Sequence, residues 1–97
     1  MAFEDMRALA AKVVAVARPA LPARRAHTLD TLVADGEPGL AIKFALDWSI
    51  EGEWDMPAAI AQEIKDSGWG HGPAPKHYLT SLDLVLARAE RRELTPA

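Results

Sequence analysis

The stretch Gly36–Trp54, GEPGLAIKFALDWSIEGEW, decides the fold. Between Leu40 and Ile50 only Lys43, Asp47 and Ser49 interrupt an apolar run. Lys43, Asp47 and Glu51 stand four apart, so on a helix they form one narrow polar stripe. Leu40, Ala41, Ile42, Phe44, Ala45, Leu46, Trp48 and Ile50 cover the rest. A helix that is apolar nearly all round is buried between others. At about 15 residues it would be roughly 22 Å long, the span of a small domain. The pattern predicts a central helical strut.

The flanking sequence supplies its neighbours. Over residues 2–17, Phe3, Met6, Leu9, Ala10, Val13, Val14 and Ala17 recur at helical spacing and give one apolar face. Glu4 and Asp5 sit in the first turn, where the helix dipole favours acids. Pro19 and Pro22 end that helix, because proline disfavours helical geometry in the residue before it. A second helix is expected from about Pro22 to Ala34, with Ala26, Leu29, Leu32 and Val33 inward. Asp35-Gly36 closes it, since glycine reaches the left-handed conformation of a helix end. The central helix starts at Glu37-Pro38 and ends near Glu51-Gly52. Asp55 reads as the N-cap of a fourth helix over 56–67, with Pro57 in its first turn. Glycines and prolines in GWGHGPAPK, residues 68–76, forbid regular structure there. A last helix is expected from about Lys76 to Arg92, with Tyr78, Leu79, Leu82, Val85, Leu86 and Ala89 as its stripe. Glu90 to Glu93 are expected to fray into a polar tail. No useful period-two run occurs, so the expected fold is all-α, a compact bundle of about five helices.

Ninety-seven residues suit a single domain, 1–97, with one modest core. There are no cysteines, which removes disulfides and thiolate chemistry and fits a reducing compartment. The opening MAFEDMRALAAK has early acids and spaced apolar positions, unlike a signal peptide. No apolar run approaches the ~20 residues of a membrane span. A cytoplasmic protein, not membrane-bound, is the expectation. The net charge is −3, and its distribution is uneven. Residues 1–34 carry +2 and residues 67–97 carry +1. Residues 35–66 carry eight acids against Lys43 and Lys65, a net −6. That block would repel nucleic acid and favour a basic partner.

Chemistry-bearing patterns are sparse. His71 and His77 flank the glycine-rich segment and His27 is distant, so no histidine set has metal-ligand spacing. GWGHG lacks the preceding strand of a dinucleotide fingerprint and the GK[ST] of a P-loop. Ser49, Ser67 and Ser81 have no nucleophile-elbow context. A catalytic role, a metal and a cofactor are therefore not expected. Arg24, Arg25, Arg88, Arg91 and Arg92 lie near helix ends, and the last three complement a helix dipole. Trp48 is expected in the core. Trp54 and Trp69 lie in turns and have two readings, as plugs at the bundle ends or as interface anchors. Tryptophan dominates many binding interfaces, and an acidic rim steers a basic partner. The candidate partner-binding set is Asp47, Glu51, Glu53, Trp54, Asp55 and Trp69.

The segment Val33–Gly68, VADGEPGLAIKFALDWSIEGEWDMPAAIAQEIKDSG, resembles the central segment of MafI-type immunity proteins. The matching features are Gly36-Glu37, Gly39-Leu40-Ala41, an apolar helix carrying Asp47 and Glu51, then Pro57 with Ile60 and Ile64. The match covers about a third of the chain. The resemblance implies an inhibitory protein without catalysis, whose partner is a cognate secreted bacterial toxin. Were that toxin a nuclease or another enzyme with a basic cleft, Asp47, Glu51, Glu53 and Asp55 would mimic substrate phosphates. Trp54, with Trp69 in support, would anchor the contact. The alternative is a small helical adaptor or regulatory subunit binding a basic protein.

Overall fold

The structure is a computed structural model that describes residues 2–69 and 77–94, with backbone only for 77–79. Five helices follow in order: α1 Phe3–Ala17, α2 Ala23–Ala34, α3 Pro38–Ile50, α4 Ala58–Asp66 and α5 His77–Leu94. A 3₁₀ turn, Arg18–Ala20, links the first two. There is no strand among the described residues. The fold is an all-α domain with a radius of gyration of 12.7 Å. A compact chain of this length is expected near 12–13 Å, roughly. No described helix is long and apolar enough to cross a membrane.

Sequence chemistry accounts for the boundaries. Pro19 stops α1 and falls in the 3₁₀ turn. Pro22 and Pro57 occupy the N-cap positions of α2 and α4, where a missing N–H costs nothing. Pro38 is the first residue of α3. Two helices end on the same motif. At the end of α2, Gly36 has φ 79° and donates to Val33 O, while Glu37 N donates to Leu32 O. At the end of α3, Gly52 has φ 83°, donates to Ser49 O, and Glu53 N donates to Trp48 O. Each pair of bonds satisfies carbonyls that the helix leaves without partners.

Helix α3 is the strut that the sequence predicts. It packs against α1, α2 and α5, while α4 packs on α5 and α1. Ala41, Ile42, Ala45 and Leu46 are wholly buried. Around them close Val13 of α1, Leu29 of α2, Ile64 of α4, Leu82 and Val85 of α5, and Met56 of the α3–α4 link. The polar stripe forms as spaced: Lys43 Nζ lies 2.8 Å from Asp47 Oδ2. Two expected apolar positions are outside. Phe3 is 55% exposed and Leu40 38%, although Met6, one turn on from Phe3, packs against the core.

Two other local readings are corrected. Asp55 is not the cap of α4. Pro57 holds that position, and the Ala58 N–H donates to Glu93 Oε2 at 2.8 Å. The residues after Glu90 do not fray before Leu94, because α5 runs to Leu94 and its last turns bind the α3–α4 link. Residues 70–76 of the glycine-rich segment, His71 included, lie outside the described residues, as do the side chains of His77, Tyr78 and Leu79.

Two substitutions test this frame by denaturant unfolding. Ile42→Ala should cost about 2–5 kcal/mol, because the site cannot collapse onto a helix packed on three sides. Gly52→Ala should cost about 1–2 kcal/mol through the positive φ alone.

Candidate functional site

Five of the six candidate residues, Asp47, Glu51, Glu53, Trp54 and Asp55, lie at the exit of α3, and Trp69 lies apart. The exit is built from Ser49 to Ala58. The buried Ser49 hydroxyl accepts the Met56 N–H at 3.3 Å. Trp54 folds back along α3, and its indole Nε1 donates to Ala45 O at 2.8 Å. The link therefore returns onto the helix it leaves, and Met56 follows Trp54 into the core.

Helix α5 closes over this corner with three charged side chains. Arg88 donates to Ile50 O at 3.1 Å, the last carbonyl of α3. Arg92 donates to Met56 O at 3.1 Å and sits 3.4 Å from Asp55 Oδ1. Glu93 accepts the Ala58 N–H at the start of α4. A cation on a helix's last carbonyl and an anion at a helix's first N–H both match the dipole. Arg88 and Arg92 thus cap other segments of the chain and do not merely balance their own helix end. From sequence, nothing in their spacing marked Ile50 or Met56 as the target. The contact is set by how α5 packs.

The acids are mostly partnered. Asp47 pairs with Lys43 within α3. Glu53 takes both arms of Arg25 from α2, at 3.2 Å each, in a fork geometry. Arg25 also lies 4.6 Å from the Trp48 ring centroid, over the aromatic face. Phe44 stacks on the same indole, with ring centroids 5.7 Å apart. Asp55 pairs with Arg92 yet keeps 74% of its side chain exposed. Glu51 is exposed and has no ion pair among the described residues. The negative charge that residues 35–66 show in sequence is thus partly neutralised at this corner by Arg25 and Arg92, which arrive from both ends of the chain.

The tryptophans are inside. Trp54 is 4% exposed and Trp69 7%. Trp69 Nε1 donates to Gly39 O at 3.3 Å, which ties the end of α4 to the start of α3. A bonded indole in the core is not available to a partner in this conformation. The plug reading fits both residues. What the corner presents is Glu51 and Asp55 outermost, with Asp47 and Glu53 half-buried behind them.

No three His, Cys, Asp or Glu side chains converge to hold a metal among the described residues. Every buried side-chain nitrogen and oxygen among them has a partner. The grooves on the described surface are open. The one between α1 and α4 is lined by Asp5, Leu9, Lys12, Glu63 and Ser67, and Lys12 reaches across it to Glu63 at 3.2 Å. No protein-family model, no curated protein and no solved structure matches the chain.

Burial of the two indoles is open to direct test. Trp54→Ala should lower unfolding free energy by about 3–5 kcal/mol, the cost of emptying a core site. A surface anchor would change it by about 0.5 kcal/mol or less.

Proposed function

We propose that this chain is an immunity protein that binds and neutralises a cognate secreted bacterial toxin. The observation that carries the reading is the concentration of acid in residues 35–66, a net −6 in a chain of −3, with Glu51 and Asp55 exposed at a braced corner. The likeness of Val33–Gly68 to MafI-type immunity proteins gives that acidity a biological sense. A helical frame with satisfied buried polar groups suits stoichiometric binding, since a surface held in one shape loses little entropy on docking.

The mechanism is occlusion. Glu51 and Asp55 meet cations of the toxin's active-site cleft, and steering by their charge raises the rate of encounter. Asp47 and Glu53 take part only if Lys43 and Arg25 exchange partners, because each is already paired. Arg25 would then remain over Trp48 while the Glu53 carboxylate turned to the toxin. In a nuclease toxin the outer acids would stand where substrate phosphates bind.

The test is toxin inhibition by the purified chain and by Glu51→Lys with Asp55→Lys. The toxin to test is the product of the adjacent gene, which is where the immunity reading expects it. Each reversed charge should weaken inhibition by several-fold, with the effect shrinking as salt rises. Inhibition that survives the double reversal at every salt concentration would place the contact elsewhere. An adjacent product that is bound but not toxic would favour the adaptor reading.

A further inference from the structure

Three cations pair with acids at the exit of α3, and each of them has a second seat. Arg25 forks onto Glu53 at 3.2 Å and lies 4.6 Å from the centroid of the Trp48 ring. Lys43 holds Asp47 at 2.8 Å and lies 5.2 Å from the centroid of the Phe44 ring. Arg92 sits 3.4 Å from Asp55 and donates to Met56 O at 3.1 Å. The Phe44 and Trp48 rings stack on each other, so the two aromatic seats adjoin. Glu51 is the acid of the corner with no ion pair among the described residues.

The Arg25 pair is the one that ties α2 to the α3–α4 link. Both side chains are half-buried, 34% and 28% exposed. A guanidinium left without a partner at such a site would be destabilising. The Trp48 face lessens that penalty, because it attracts the cation whether or not Glu53 is bonded to it. Arg25 can therefore release the carboxylate without leaving its place. Until it does, the fork occupies both oxygens of Glu53, and the seated guanidinium repels any other cation that approaches them.

We infer that Arg25 is an autoinhibitory cation: it withholds Glu53 from a basic partner, and its seat on Trp48 lets it yield that acid when a guanidinium of the partner takes its place. The partner chemistry is a surface with several Arg side chains, some for the exposed Glu51 and Asp55 and one to displace Arg25 from Glu53. A partner with a single cation meets only the outer acids. The inference rests on the basic-partner part of the reading above and adds the regulation of that site. It does not require that the partner be a toxin.

The test is a calorimetric titration of the full chain with an octa-arginine peptide at low salt. Arg25→Gln removes the charge and keeps an aliphatic stem beside Trp48. Arg24→Gln changes the net charge equally at an exposed residue that has no ion pair among the described residues, and it is the control. Arg25→Gln should bind the peptide about three- to fivefold more tightly than Arg24→Gln does. Glu53→Gln should cost more affinity in the Arg25→Gln background than in the wild type, since only there is Glu53 free to bind. Arg25→Lys keeps the net charge and gives up the fork, so it should also bind more tightly than the wild type. That variant decides the matter if Arg25→Gln does not fold. Equal binding by Arg25→Gln and Arg24→Gln, equal costs of Glu53→Gln in the two backgrounds, no tightening by Arg25→Lys, or no peptide binding by any variant would overturn the inference. These results alongside intact toxin inhibition would leave the toxin reading standing. The predicted tightening alongside a toxin that does not bind would sink the toxin reading alone.

Discussion

The structure depends on burying α3 on three sides at once. Ala41, Ile42, Ala45 and Leu46 have no exposed surface, and helices from both ends of the chain close over them. Alanines at 41 and 45 let neighbouring helices come near, and the larger Ile42 and Leu46 fill what remains. Removing one such side chain leaves a hole that rigid helices cannot close. The price of so apolar a helix is that its two ends must carry the polar work. Each end does so differently.

At the exit, backbone and charge cooperate. The Gly52 turn reverses the chain, Trp54 bonds back to Ala45, and Ser49 receives Met56. Helix α5 then lays Arg88, Arg92 and Glu93 on the carbonyls and amide that the two helix ends leave over. Such bonds between a charged group and the backbone are worth more than neutral ones. At the entrance the work is done by the Gly36 and Glu37 backbone bonds and by the Trp69 indole on Gly39 O.

Helix identity was legible from sequence because apolar spacing and proline or glycine stops agreed at several boundaries, as at Pro19, Gly36 and Gly52. The Lys43–Asp47 stripe was legible for the same reason, being a matter of spacing within one helix. What sequence could not show was contact across helices. Arg25 meeting Glu53, Arg92 meeting Asp55 and Glu93 capping Ala58 join residues 28 to 37 positions apart, set by packing alone. The acidity of the middle third was therefore legible as composition, while its pairing with Arg25 and Arg92 was not. Trp54 and Trp69 were ambiguous for a related reason. A turn position fixes where an indole leaves the backbone, and only the fold fixes whether it turns inward. Phe3 and Leu40 fit the helical apolar pattern yet stand out of the core, each in the first turn of its helix.

The central claim is that the Ser49–Ala58 corner belongs to the same cooperative unit as α3. Native-state hydrogen exchange measures it residue by residue. The account predicts that the amides of Glu53, Met56 and Ala58 exchange with nearly the free energy of Leu46, through global unfolding. Exchange at those three amides through a low-energy local opening, while Leu46 stays protected, would contradict it.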